Sequence, residues 1–233
     1  MKRFATLLCA VLLVSSSAHA ALRVPQVPVL GPSLQGYLNG VGESINVLTD
    51  QENVQRWSST VSGNSSFTIQ LELTATAAAN TIGLYNASAA VPPLYQVFPG
   101  AATTNWFATA SFRPAPARVI VNLFDDNAAL QGQVTYLGAD ASDFGFYIQG
   151  PGGTFFTQDA RNPGGAAQAL SYKATGANGG NWWLAFEDGA VSSNNQIAPG
   201  SDQDYDDCVL FMESVNPTPV TGTSWGALKA RFR

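Results

Sequence analysis

Residues 66–74 constrain the fold more than any other part of the chain. Phe67, Ile69, Leu71 and Leu73 alternate with Thr68, Gln70, Glu72 and Thr74. Successive side chains of a strand point to opposite faces, so strict alternation over this length predicts a strand with one buried and one wet face. From Glu43 onward the same period recurs in short segments: 44–48, 81–85, 95–98, 106–112, 118–124, 132–137, 145–148, 153–157, 169–174, 182–187 and 208–215. Most are rich in Val, Ile, Thr and aromatic residues, and Gly, Pro, Asn or Asp bounds them. No comparably long stretch carries the helical period. Many short strands with turn signals between them predict an all-β fold, an antiparallel β-sandwich of jelly-roll-like or Greek-key type. One domain is expected over residues 41–216, because no linker divides the strands.

The two ends read differently. Lys2 and Arg3 precede a short apolar run, residues 4–14, and Ala18-His19-Ala20 has the small-x-small form of a cleavage site. Residues 1–20 are therefore expected to be a signal peptide, and the protein to be secreted, in the periplasm, at the cell surface or outside the cell. Residues 21–40, with Pro25, Pro28 and Pro32, predict an extended arm, with a turn of helix over 33–40 through Leu34 and Leu38. Pro217 and Pro219 break the strand pattern, so 217–233 reads as a tail. Ser224 is placed to cap a short helix there, with Trp225, Leu228 and Phe232 on one side and Lys229, Arg231 and Arg233 near its end. Docking of this tail on the sandwich is the favoured expectation, and an export or attachment tag the alternative.

Loss of residues 1–20 would remove the only histidine, His19, and one of the two cysteines, Cys9. What is left holds Cys208 alone, which excludes an internal disulfide, a Ser-His-Asp triad, a Cys-His pair and a His/Cys zinc site. Cys208 stands in an apolar run and reads as a buried small residue rather than a reactive thiol. Charged residues make up only 12% of the chain and the net charge is −5. That composition suits an extracellular β-protein, offers no basic patch to nucleic acid, and contains no second apolar stretch able to span a membrane.

The acidic residues are not spread evenly. Glu187, Asp188, Asp202, Asp204, Asp206 and Asp207 lie within residues 186–207, without a Lys or Arg among them. Like charges a few ångströms apart repel by roughly 1 kcal/mol in water and by more at a protein surface. A divalent cation reverses that sign. Calcium accepts six to eight oxygens in irregular geometry, whereas magnesium demands a stricter octahedron, so Ca2+ is the expected ion and these six carboxylates the expected metal ligands. The spacing imitates an EF-hand loop with Glu213 at its twelfth position. Asp207 occupies the place of the required Gly, however, and an extended 208–212 would carry Glu213 about 20 Å away.

Phe186-Glu187-Asp188 followed by Gly200-Ser201-Asp202-x-Asp204-Tyr205-x-Asp207 resembles the C-terminal signature of a bacterial secreted and surface β-sandwich domain of unknown function, common in PEP-CTERM-anchored proteins. Gly145-Phe146-Tyr147 and Gly153-Thr154-Phe155-Phe156 resemble strands of that family, and the likeness covers roughly residues 144–215. It implies a secreted sandwich with a calcium loop and no established catalysis. The connecting loop at 189–199 is long for the family, Asp206 stands where Asn is common, and no Pro-Glu-Pro motif with an apolar helix follows.

Three other features of the sequence have simple structural explanations. Asp125-Asp126-Asn127, and Asp140 with Asp143, read as turn-building residues rather than a second metal site. Trp182 and Trp183 must face opposite ways in a strand; two buried rings is the simpler expectation, and an exposed one would suit stacking on a sugar. Tyr85, Tyr95, Trp106 and Tyr172 show no spacing that separates binding from packing. The leading expectation is a non-catalytic, calcium-binding sandwich with a structural or adhesion role and no catalytic residue. The alternatives are a carbohydrate-binding module and, behind it, a glycosidase pairing Glu187 with an Asp. Surface polysaccharide or another surface protein is the expected partner, and nucleic acid is not.

Overall fold

The computed structural model describes residues 33–60, 62–191 and 201–218. The expected signal peptide, most of the arm and nearly all of the C-terminal tail lie outside these residues. The described chain forms two antiparallel sheets packed face to face. Its strands are β1 (Trp57–Ser59), β2 (Asn64–Leu71), β3 (Thr81–Asn86), β4 (Leu94–Phe98), β5 (Phe107–Pro114), β6 (Ala117–Phe124) and β7 (Leu130–Leu137). They continue as β8 (Phe144–Gly150), β9 (Gly153–Phe156), β10 (Ala169–Lys173), β11 (Trp182–Phe186), β12 (Cys208–Glu213) and β13 (Val215–Pro217). One sheet runs β13-β1-β8-β3-β4, with β9 also paired to β8, and the other runs β10-β11-β12-β2-β5-β6-β7. The all-β sandwich expected from the alternation is the observed fold.

The expected alternation over 66–74 holds for 67–70 and breaks at Leu71, which lies opposite Val209 at a register shift and packs on the other face of the sheet, while Leu73 lies beyond the strand and is exposed. Phe67 and Ile69 are buried between the sheets while Thr68 and Gln70 face outward. Phe67 meets Phe146 of the opposite sheet edge to face at 5.1 Å, and Trp57 meets the same ring at 5.4 Å. Such aromatic pairs add about 0.5–1.5 kcal/mol beyond their buried area.

A second core lies on the outer face of β10–β11–β12. There α1 (Leu34–Gly40) and the segment after it cover Trp183, Tyr172, Leu170 and Val209 with Leu34, Leu38, Ile45 and Val47. Ser33 caps α1 by accepting a hydrogen bond from the Gly36 N–H at 3.1 Å. Residues 44–48, expected to be a strand, form an irregular cover instead. Their backbone is satisfied by side chains: Gln35 donates to the Ile45 carbonyl and accepts from the Val47 N–H, and the Tyr172 hydroxyl donates to the Val47 carbonyl. With those groups occupied, 44–48 needs no sheet partner.

The expected strand over 208–215 is split. Ser214 takes a φ of 59°, which turns the chain from β12 in one sheet to β13 in the other. Glu213 lies at the end of β12 and accepts a hydrogen bond from Ser66 at 2.6 Å, so it stands on the sheet and not in the acidic loop.

Candidate metal centre

β11 and β12 are antiparallel neighbours, with Phe186 opposite Cys208. Glu187 and Asp207, one residue further, therefore leave the ladder at the same end. The Glu187 N–H donates to the Gln168 carbonyl at 3.0 Å, and the Gln168 side chain spans the next turn, donating to Gly189 O and accepting from the Val191 N–H. Gln168 is fully buried and joins β10 to the start of the 187–191 loop.

From Ser201 to Asp204 the chain alternates between buried and outward side chains. Ser201, Gln203 and Tyr205 are buried, Asp202 is exposed and Asp204 half-buried. Gln203 and Tyr205 achieve this with left-handed backbone, φ 60° and 57°. The Tyr205 hydroxyl anchors the loop on the Ala167 carbonyl at 2.9 Å. Two inward anchors thus turn Asp202 and Asp204 toward Glu187. Carboxylate oxygens of Glu187, Asp202 and Asp204 all lie within 4.8 Å of one another.

The other three expected ligands have different surroundings. One oxygen of Asp188, Oδ2, accepts from Thr74 Oγ1 and Asn80 Nδ2, each at 2.7 Å, and from Thr76 Oγ1. That oxygen is already filled with hydrogen bonds, which tie the loop after β2 to the site. Asp207 accepts from the Asp188 N–H at 2.8 Å. Asp206 lies against Asp204, its N–H donating to Asp204 Oδ1 at 3.2 Å. Its own Oδ2 is buried and finds no hydrogen-bond partner among the described residues. Three of the six expected ligands are thus brought together, and three form the frame behind them.

The cluster borders a pocket of about 460 Å³ whose far wall is Leu73, Thr74, Ala75 and Thr76. Ser201 lines it, only 7% exposed, and its Oγ sits beside Glu187 but outside hydrogen-bond geometry. The sequence signature contained Ser201, and its position next to Asp202 was the signal that could have nominated it. Thr74, Thr76, Asn80 and Gln168 carried no such signal, since each acts on a residue far along the chain.

The electrostatics follow from burial first and from crowding second. Burial, and then the Asp207 charge, push the Glu187 carboxyl up to about 9. Burial, and then Asp204, raise Asp206 to about 8. Burial also raises Asp204 and Asp207. Without a cation the site therefore holds protons near neutral pH, and a bound cation would displace them.

The remaining nominated residues have structural partners. Asp125 accepts from the N–H groups of Asn127 and Ala129, closing the β6–β7 turn. Asp143 forms a two-point ion pair with Arg56, and Asp140 accepts from the N–H and hydroxyl of Ser142. Trp182 packs in the inter-sheet core and Trp183 in the second core, so they face opposite ways and both are buried. Trp106 packs against the inter-sheet core as well. Among the described residues β11 presents no exposed tryptophan platform of the kind the carbohydrate alternative requires, because Trp182 faces the inter-sheet core and α1 with the segment after it covers Trp183. Cys208 is buried and free, and burial raises its thiol pKa. No helix among the described residues is long and apolar enough to cross a membrane.

Comparison with known protein families, with curated proteins and with solved structures finds no match to this chain. Fold and site together define a two-sheet β-sandwich with a carboxylate cluster where β11 ends and β12 begins.

Proposed function

We propose that this protein is a secreted, calcium-stabilised β-sandwich with a non-catalytic, structural or adhesive role at the cell surface. The observation that carries the reading is the convergence of Glu187, Asp202 and Asp204 oxygens within 4.8 Å. Calcium–oxygen distances of about 2.3–2.6 Å let one ion reach oxygens up to about 5 Å apart, so a single calcium fits between the three. Ser201 Oγ, buried and unpartnered on the same pocket, supports a fourth oxygen ligand. Backbone oxygens and water complete the six to eight that calcium takes. The Phe186-Glu187-Asp188 and Ser201-to-Asp207 residues that hold this geometry also support placing the chain among the bacterial surface domains its sequence resembles.

The glycosidase alternative draws on the pocket beside Glu187. Hydrolases of that kind hold two carboxyl groups about 5–9.5 Å apart, with one protonated and the other free to act. Three carboxylates on one point suit a shared cation better than a divided acid and base.

Calorimetric titration with calcium chloride tests the proposal. One calcium per chain is expected, with magnesium weaker, and with Glu187→Gln or Asp204→Asn lowering affinity at least tenfold. Absence of binding heat in the unsubstituted protein, with folding confirmed by circular dichroism, contradicts it.

A further inference from the structure

The second core covers only part of its sheet. Tyr37 of α1 donates to Gln70 of β2 at 2.7 Å, and there the cover stops. The outer face of β2–β5–β6–β7 is left bare. On it, Phe107 and Phe124 are directly opposed, half-buried and stacked at 4.8 Å with an interplanar angle of 10°. Neither ring belongs to a buried cluster. Six residues further along β5, about 20 Å away at strand rise, Arg113 stands directly opposite Arg118. Between the two ends runs a ladder of amides and hydroxyls fixed by mutual bonds: Gln133 Nε2 donates to Asn122 Oδ1 at 2.6 Å, and Asn122 Nδ2 to Thr109 Oγ1 at 3.2 Å.

The arginine pair is the anomaly. Like charges directly across a ladder destabilise it. All sixteen acidic residues fall among the described residues, yet no carboxylate there pairs with either guanidinium. Arg113 donates to the Phe112 carbonyl and Arg118 to that of Pro116, and the acid nearest on the pocket that Arg113 lines, Asp140, is engaged by Ser142. Guanidinium forks bind carboxylates and sulfates at two points, and a bound anion would remove the repulsion between them.

We propose that the outer face of β2–β5–β6–β7 binds an acidic polysaccharide, a glycan chain bearing carboxylate or sulfate groups. Arg113 and Arg118 take the anionic group, the Thr109–Asn122–Gln133 ladder meets ring hydroxyls, and Phe107 with Phe124 packs against the apolar side of a sugar ring. The face is separate from the acidic loop and needs no metal.

The test is titration of the full chain with sodium alginate and with heparin, in buffer containing EDTA, with neutral dextran as control. Binding of at least one polyanion and not of dextran is expected. The Arg113→Gln/Arg118→Gln variant, altered only at the hairpin end of the face, should lose at least tenfold in affinity. Phe107→Ser, which leaves net charge unchanged, should lose at least threefold, with its folding confirmed by melting. Glu187→Gln should bind as the unsubstituted protein does, which separates this inference from the calcium reading. Alginate and heparin arms distinguish carboxylate from sulfate. Failure of both polyanions to bind at low salt overturns the proposal, as does affinity unchanged in the arginine double variant or in Phe107→Ser.

Discussion

At Glu43 one buried carboxylate joins the segment after α1 to the loop between β10 and β11. It accepts hydrogen bonds from Thr175 N and Oγ1, each at 2.6 Å, from Asn178 Nδ2 at 2.8 Å and from Trp183 Nε1 at 2.9 Å. Burial works to raise its pKa, and these four donors outweigh burial and hold it below the ordinary carboxylate value. Removing the acceptor would strand buried donors. Glu43→Ala is therefore expected to destabilise the fold by about 2–4 kcal/mol in urea denaturation, and a change under 0.5 kcal/mol would contradict this account. The sign with pH follows from the depressed value: Glu43 contributes its stability above about pH 4.5 and loses it as pH falls through its folded pKa. None of this was legible in the sequence. Glu43 sits beside Gly42 as an ordinary polar residue, and its donors lie more than 130 positions away. The acids of the loop were legible because they crowd together in sequence, but which of them converge depended on the left-handed backbone of Gln203 and Tyr205.

Among the elements, the β8–β9 turn fixes the metal-side geometry. Gly152 approaches Asp188 so closely that an added Cβ would lie 2.1 Å from the Asp188 carbonyl oxygen. Gly152→Ala is expected to push the turn off the 187–191 loop, costing about 1–3 kcal/mol of stability and lowering calcium affinity. Thermal melting and calorimetry read the two effects, and an unaltered melting temperature would show that the contact is not required. The strands were largely readable, because period two survives wherever one face is buried. Trp182 and Trp183 were read as facing opposite ways, and they do. That both would be buried depended on residues 34–54 folding over the outer face of β11, a tertiary event with no local pattern. For the same reason residues 44–48 alternate like a strand while pairing with nothing: their apolar side chains meet a sheet face, not a sheet edge.

For the whole molecule, the raised carboxyls make stability depend on pH and on cation together. Glu187 with a folded pKa of about 9, and Asp206 with about 8, bind protons more tightly folded than unfolded. Their contribution is full below the unfolded values, near 4, and is lost as pH rises through the folded ones. The metal-free protein should therefore lose stability progressively between about pH 4.5 and 9. Glu72, raised by burial to about 7 outside the cluster, adds the same sign and should persist when calcium is present. A cation that replaces the protons removes the cluster's share. Binding to the folded state alone stabilises by RT ln(1 + [L]/Kd), about 2.7 kcal/mol at a hundredfold excess over Kd. The most direct measurement is the melting temperature at pH 8 in EDTA and in millimolar calcium, for the unsubstituted chain and for Glu187→Gln. The account predicts a rise of several degrees with calcium in the former and little or none in the latter. An identical melting temperature with and without calcium in the unsubstituted chain would contradict it.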